Sequence, residues 1–288
     1  MQQMINAIVN TPLASDTFFR EYTSSNAILK YARASAGFGI SYLLDHDYKS
    51  VYLEALNRLP QQIRQNGIRI LEFGCGCGMN LLHLVSVLGR HGIRVEHAIG
   101  TDFSPVLIDA AKREAARYLA DEDRRKVQFC VARNETLIDE LTATTGVPEA
   151  DLVNSFQFVI GVNTIRYCHR ANTEAECARD IWRLLMPGGV CVVIDMNDRF
   201  PAFRSALKDK LRGNKRPQRE CYLPSLEEYT APFTRAGFQV LRTGRFCWIP
   251  HSAGRFLTGI CRTFSPVLTN LGRSRAMRSL VIAQKPSV

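Results

Sequence analysis

Residues 70–82 read ILEFGCGCGMNLL, Ile70 to Leu82, and the reading of this stretch decides the fold of the chain. The apolar run before Gly74 suits a buried strand, and the apolar positions from Met79 onward suit a helix. Between them Gly74, Gly76 and Gly78 alternate with Cys75 and Cys77. A strand that turns into a helix through residues lacking Cβ brings bare backbone close to a ligand. The ligand is a nucleotide-like cofactor, a dinucleotide or a metal. The dinucleotide fingerprint needs G-x-G-x-x-G, and here the third glycine arrives one residue early, with Met79 in its place. Thiolate metal sites usually pair two C-x₂₋₄-C units, whereas Cys75 and Cys77 have no partner pair, so no metal is expected and the two thiols are read as fillers.

Working outward, short β-branched runs alternate with helical patterns from Gly67 on, as in a parallel sheet covered on both faces. Strands are predicted at 68–73, 94–101, 127–132, 156–162, 190–195, 238–248 and 279–284. Helices are predicted at 78–89, 105–120, 134–143, 174–185 and 225–236, the last opened by Ser225 with Glu228 three residues on and closed by Gly237. Residues 1–66 lack strand patterning and are read as an N-terminal helical cap over the sheet's carboxyl edge, with residues 67–288 as the main domain. Two insertions interrupt that domain, at 198–222 and 249–276. In the second, Phe256, Leu257, Ile260 and Phe264 share a helical face before Pro266, which is expected to break the helix. That helix is expected to pack back on the domain, with a membrane-surface or lipid-substrate role as the alternative.

The glycine loop, AIGTDFSPVLIDAAKREA ending its strand at Asp102, VARNETL, FQFVIGVNTIRY and IWRLLMPGGVCVVID follow one another in the order found in class I S-adenosylmethionine-dependent methyltransferases, which the chain resembles over roughly 67–195, the last helix and the last two strands. The resemblance implies an α/β, Rossmann-like, seven-stranded and mostly parallel sheet sandwiched by helices, its last strand antiparallel. It also implies S-adenosyl-L-methionine as cofactor. Glu72, Gly74, Cys75, Gly76, Gly78 and Asn80 would form the first cofactor loop, with Glu72 ordering the glycine turn. Asp102 would accept the ribose hydroxyls and Phe103 would pack on adenine. Asn134 and Glu135 would reach the adenine edge, where the family more often has an Asp, and Gly161, Val162 and Asn163 would line the methionine end. Taken without this context, Asp102 reads equally well as the start of a helix at Ser104-Pro105.

Methyl transfer from a sulfonium needs alignment and, for some acceptors, removal of a proton. Candidates lie where the fourth and fifth strands and the second insertion reach the carboxyl edge. Tyr167, His169 and His251 are the proposed proton acceptors, and Tyr31, Arg166, Asn197 and Trp248 the substrate contacts. Each has a plainer reading: Tyr167 and His169 as helix-end residues facing solvent, Asp195 beside Asn197 as a structural acid, His251 as a satisfied surface histidine.

With 288 residues, 46% of them hydrophobic, the chain can bury a substantial core. No apolar run is long enough to span a bilayer and no signal peptide is evident, and nine cysteines, an odd number, leave at least one thiol free. A cytoplasmic enzyme is therefore expected. The net charge of +10 is uneven: from Tyr229 to Val288 there are nine Lys and Arg and no Asp or Glu. Such a segment attracts an anionic substrate, phospholipid or nucleic acid. The leading expectation is methyl transfer to a small molecule with an anionic group or an apolar tail. The alternatives are an RNA (cap-type) methyltransferase and a non-catalytic cofactor-binding protein that contacts a partner or membrane.

Overall fold

The computed structural model describes residues 38–200, 223–251 and 253–287. It opens with helix α1 (Phe38–Leu43), a π-helical turn (Leu44–Tyr48), α2 (Lys49–Leu56) and α3 (Gln61–Asn66). Strand β1 (Ile68–Phe73) and α4 (Met79–Leu88) flank the glycine loop. There follow β2 (Val95–Asp102), α5 (Pro105–Tyr118), a one-turn α6 (Asp121–Arg124), β3 (Val127–Val131), α7 (Leu137–Thr145), a one-turn α8 (Glu149–Leu152) and β4 (Phe156–Val162). The chain continues through α9 (Ile165–Arg170), α10 (Glu174–Leu184), β5 (Leu185–Met196), α11 (Leu226–Arg235), β6 (Gln239–Phe246), α12 (Arg255–Gly272) and β7 (Arg278–Gln284).

The strands form one sheet in the order β3-β2-β1-β4-β5-β7-β6. All neighbours run parallel except β7, which is antiparallel to both β5 and β6. The strand order reverses at β1, so a crevice opens beyond the carboxyl ends of β1, β2 and β4, where such sheets bind ligands. Because strand side chains alternate, each strand feeds two cores. Ile70, Phe158 and Val192 face Tyr52, Leu81 and Ile108 on one side, while Leu71, Val159 and Cys191 face Ile138, Ile181 and Phe233 on the other.

Local sequence signals place several boundaries. Ser104 accepts from the Leu107 amide with Pro105 at the first helical position, so Ser104, not Asp102, caps α5. Ser225 and Glu228 form the expected capping box of α11. Gly161 lies flat against Phe73 in the neighbouring strand: a Cβ there would come within 2.2 Å of the ring. The strand predicted at 190–195 begins earlier, at Leu185, and takes in the LMPGG segment. This segment is an irregularity of β5 between the Phe156–Leu185 and Phe158–Val190 pairings, with Gly188 at φ 79°.

The helices over 38–66, expected as a cap above the carboxyl edge, lie largely against the sheet's face: Tyr52, Ala55 and Leu56 are fully buried beside β1, β4 and β5. Tyr48 and Tyr52 reach the edge. Most of the 198–222 insertion, and Tyr31 with the start of the cap, lie outside the described residues. The second insertion departs from expectation in two respects. Pro266 does not break its helix, because α12 continues through it to Gly272. Nor does the Phe256–Phe264 face pack back on the domain, since α12 touches the body through the other side, where Thr258 is buried.

At the opposite end of the sheet, Lys285 is 5% exposed, and its Nζ donates to Asn154 Oδ1 and to the carbonyls of Trp182 and Leu185 at 2.7–2.9 Å. This ammonium ties β7 to the α10–β5 junction. Replacing it by methionine removes three hydrogen bonds, one of them to the buried Leu185 carbonyl, and is expected to lower unfolding free energy by about 1–3 kcal/mol in urea titration. Cofactor affinity should be unchanged, because the tie lies at the far edge from the crevice.

Candidate active site

Two acidic side chains at the ends of neighbouring strands shape the glycine loop. Glu72 is fully buried, and its Oε1 and Oε2 accept from Asn80 Nδ2 at 2.9 Å and the Leu81 amide at 3.0 Å. It thus holds the first turn of α4, where the partial positive charge of the helix end favours an acid. Asp102 Oδ2 accepts from the Gly76 amide and Oδ1 from the Ser104 amide, both at 2.9 Å. Gly74, Gly76 and Gly78 all have positive φ, 64°, 55° and 78°. A Cβ on Gly74 would strike Thr164 at 2.2 Å, and one on Gly78 would strike Phe129 at 2.7 Å. The loop is therefore closed down on the β4 side and on the β3 side by contacts that exclude any side chain.

Cys75 and Cys77 fill these gaps. Cys75 is buried against the face that includes Phe129, and Cys77 packs with Leu107, Ala110 and the half-buried Phe103. Burial raises both thiols, Cys77 to about 12, so they remain protonated at neutral pH. Asn134 donates to Thr164 Oγ1 at 2.9 Å and turns toward Cys168, so its NH₂ group joins the β3 loop to the β4 loop. Glu135 is half-buried beside it.

A carboxylate has about four lone-pair positions. Asp102 spends one on each oxygen, which leaves it able to accept two further hydrogen bonds from vicinal hydroxyls. Together with the Cβ-free turn and the open end of α4, the residues present fit a nucleoside bearing an amino-acid tail.

Across the crevice, Gly161 and Val162 end β4, and Asn163 takes a left-handed φ of 57°. Its Oδ1 accepts from Arg278 at 2.8 Å, and the other nitrogen of that guanidinium lies 2.8 Å from His251 Nε2. Tyr48 Oη is 3.0 Å from the same Nε2. Because a guanidinium can only donate, Nε2 is the unprotonated nitrogen of His251. Burial, Arg278 and Arg166 hold this imidazole well below its ordinary pKa of 6.5, so the ring is neutral. The Arg166 amide reaches buried Asp195 Oδ2 at 3.2 Å, its Nε stands 3.6 Å from Oδ1, and its side chain donates to Tyr167 Oη at 2.6 Å. Burial raises Asp195, and Arg166 and Arg278 oppose that rise.

The sequence candidates thus separate. Arg166, Tyr167, Asn163 and His251 converge on the ends of β4, β5 and β7. His169 lies with Nδ1 3.1 Å from Glu174 and Nε2 3.8 Å from Glu228, toward α10 and α11. Asn197 is fully buried and committed to the backbone: its NH₂ donates to the carbonyls of Ser274 and Ala276, and its Oδ1 accepts from Arg245. Trp248 donates its indole N–H to Thr269 on α12. Tyr31 lies outside the described residues. Tyr48, Thr164 and Arg278 were not singled out by sequence. Arg278 opens a run, RSLVIAQ, that reads as an ordinary strand, and only the antiparallel entry of β7 sets its first residue at the carboxyl edge.

Burial outweighs the two donors on Glu72 and, with Asp102 nearby, raises its pKa to about 8 from 4.5; Asp102 rises to about 6. An acid that keeps its proton in the fold but loses it in the unfolded chain makes the fold less stable as pH rises between the two values. Cofactor-free protein should therefore lose stability from about pH 4.5 to about pH 8, with Glu72 contributing on the order of 4 kcal/mol. Urea midpoints across that range check this, and Glu72→Gln should flatten the profile.

A family model described as a methyltransferase domain matches residues 44–243. Citrinin polyketide synthase of Monascus ruber is 27% identical over 148 residues, which are 51% of this chain and 5% of that protein. The chain therefore corresponds to a small part of the length of the curated relatives it matches. Among solved structures, phosphoethanolamine N-methyltransferase 2 of Haemonchus contortus in complex with S-adenosyl-L-methionine aligns with a TM-score of 0.57 at 16% identity, over 95% of this chain and 61% of that one. CurJ carbon methyltransferase aligns with a TM-score of 0.55 at 16% identity, over 93% and 61%. Both share the fold of this chain. With a methyltransferase-domain match over more than half of its length, on the seven-stranded sheet with its glycine loop, the chain belongs to the class I methyltransferase family and uses S-adenosyl-L-methionine.

Proposed function

We propose that this enzyme methylates a small molecule whose reacting atom sits beside an anionic or acidic oxygen. The observation that carries the reading is the hydrogen-bonded Asn163–Arg278–His251–Tyr48 group at the end of β4, in which Tyr48 and Arg278 are buried and Asn163 and His251 half-buried. S-adenosyl-L-methionine supplies a methyl group already activated on a sulfonium. Glu72 and Asp102 shape the loop that would hold it, Asp102 would accept the ribose hydroxyls, and the ends of β1 and β4 would line the methionine end. Arg278 and Arg166 place positive charge where the acceptor's oxygen lies. Neutral His251 takes the acceptor's proton at Nε2 once Arg278 and Tyr48, which donate to that nitrogen in the free protein, turn to the acceptor's oxygen; the new bond to the methyl carbon forms as its bond to the sulfonium breaks. Tyr167 supports this side by receiving Arg166 across its ring, with the guanidinium carbon 4.5 Å from the centroid. The polyketide synthase relatives support an oxygen-rich carbon chain as the acceptor skeleton.

An RNA acceptor loses support from the fate of the C-terminal cations. Four of the nine are occupied inside the domain: Arg242 pairs with Glu54, Arg245 bonds Asn197 and lies near Asp198, and Arg278 and Lys285 are 4% and 5% exposed. What is left is not a continuous basic track of the kind that follows a phosphate backbone.

Purified protein given methyl-labelled cofactor and a panel of carboxylates, phenols and β-keto thioesters should label a low-molecular-weight product; label in RNA alone, or in none of these, would overturn the reading. Asp102→Ala should weaken cofactor binding by about 10²-fold in titration calorimetry. His251→Asn should lower kcat by about 10²- to 10⁴-fold with cofactor affinity retained. In the wild type, kcat/KM should fall only as pH drops below the ordinary imidazole value of 6.5, and this acid limb should vanish in His251→Asn.

A further inference from the structure

Of the five other cations of the C-terminal quarter, Arg235 ends α11 and four lie on or just after one element. Arg255 and Arg262 lie on α12, Arg273 and Arg275 immediately follow it, and all four are exposed. This helix meets the body through a narrow side made by Thr258, Cys261, Ser265 and Thr269. Its other side presents Phe256 at 83%, Leu257 at 45%, Ile260 at 39%, Phe264 at 55%, Val267 at 51% and Leu271 at 84% exposure. At helical spacing these six fall within a sector of about 100°, and the 18-residue helix makes the ridge about 27 Å long. Scattered apolar side chains on a surface need no cause, but a continuous ridge of large ones marks a contact.

We propose that α12 is a membrane-surface helix, lying in the headgroup region of an anionic phospholipid bilayer with its apolar ridge among the acyl chains. Two observations choose this occupant. The ridge is convex and has no groove of its own, which suits a deformable medium. The segment 229–288 contributes no Asp or Glu that would be repelled by acidic headgroups, while its four exposed arginines, Arg255 and Arg262 on the flank turned away from the ridge and Arg273 and Arg275 at its end, place positive charge within about a Debye length of the headgroups. No described helix is long and apolar enough to cross a membrane, so the contact is one of lying on the surface. The inference stands independently of the acceptor assignment.

The test uses the full chain and vesicles of phosphatidylcholine mixed with phosphatidylglycerol, with phosphatidylcholine alone as the comparison. Wild-type protein should float with the anionic vesicles at least about tenfold more than with the neutral ones, and less as salt is raised. The double variant Phe256→Ser/Leu271→Ser should lose flotation about tenfold, with its circular dichroism, melting and cofactor affinity unchanged. In a separate variant, Leu271→Trp, the added indole should shift its emission to the blue when anionic vesicles are added. Absent flotation of the wild type, equal flotation of the double variant or an unshifted Leu271→Trp emission would overturn the proposal. So would a vesicle-free dimer that Phe256→Ser/Leu271→Ser dissociates, since the ridge would then be a contact between copies.

Discussion

The hydrogen bonds from Gly76 and Ser104 to the two oxygens of Asp102 are the constraint on which the crevice depends. They tie the loop after β1 to the tip of β2, and they hold a buried acid in place with lone pairs still available. Glu72 performs the matching task one strand away by fixing the first turn of α4. Neither acid could be buried there without those donors, because an unpaired carboxylate in a dry site is strongly disfavoured. The three positive-φ glycines follow from the same constraint: the loop must curl over both acids, and Thr164 and Phe129 leave no room for a Cβ at its two ends.

The proposed acceptor side is assembled differently. The cofactor side comes from consecutive strand ends, but Tyr48, Asn163, His251 and Arg278 come from four distant parts of the chain. Arg278 links them, since it donates to Asn163 and to His251 from the first position of β7. Burial and two neighbouring guanidinium groups keep the imidazole neutral. A neutral imidazole beside fixed positive charge suits an acceptor that becomes more anionic as it loses its proton. The first described helices are part of this arrangement: they bury against the sheet's face and send Tyr48 and Tyr52 to its edge, where Tyr52 Oη lies 3.4 Å from Asn80 Oδ1.

The basic C-terminal quarter divides in the folded chain into two populations. Arg242, Arg245, Arg278 and Lys285 are internal ties that join β6 and β7 to the rest of the domain, whereas Arg255, Arg262, Arg273 and Arg275 accompany an outward-facing apolar ridge; the ninth, Arg235, ends α11. A count of charges cannot make that division, because it depends on which strand end meets which partner.

The sequence by itself determined the sheet, its helices and the cofactor edge, because those rest on local patterns: alternating apolar runs, a Cβ-free turn, an acid at a strand tip, and caps at Ser104 and Ser225. It misjudged the course of α12, since a proline inside a helix need not end it when the neighbouring turns still bond. It also offered Asn197 and Trp248 as substrate contacts, and the structure commits both to internal partners. Only the tertiary structure brought Arg278, His251, Asn163 and Tyr48 together. Their meeting requires the antiparallel insertion of β7 between β5 and β6, a long-range pairing that leaves no trace in the spacing of residues along the chain.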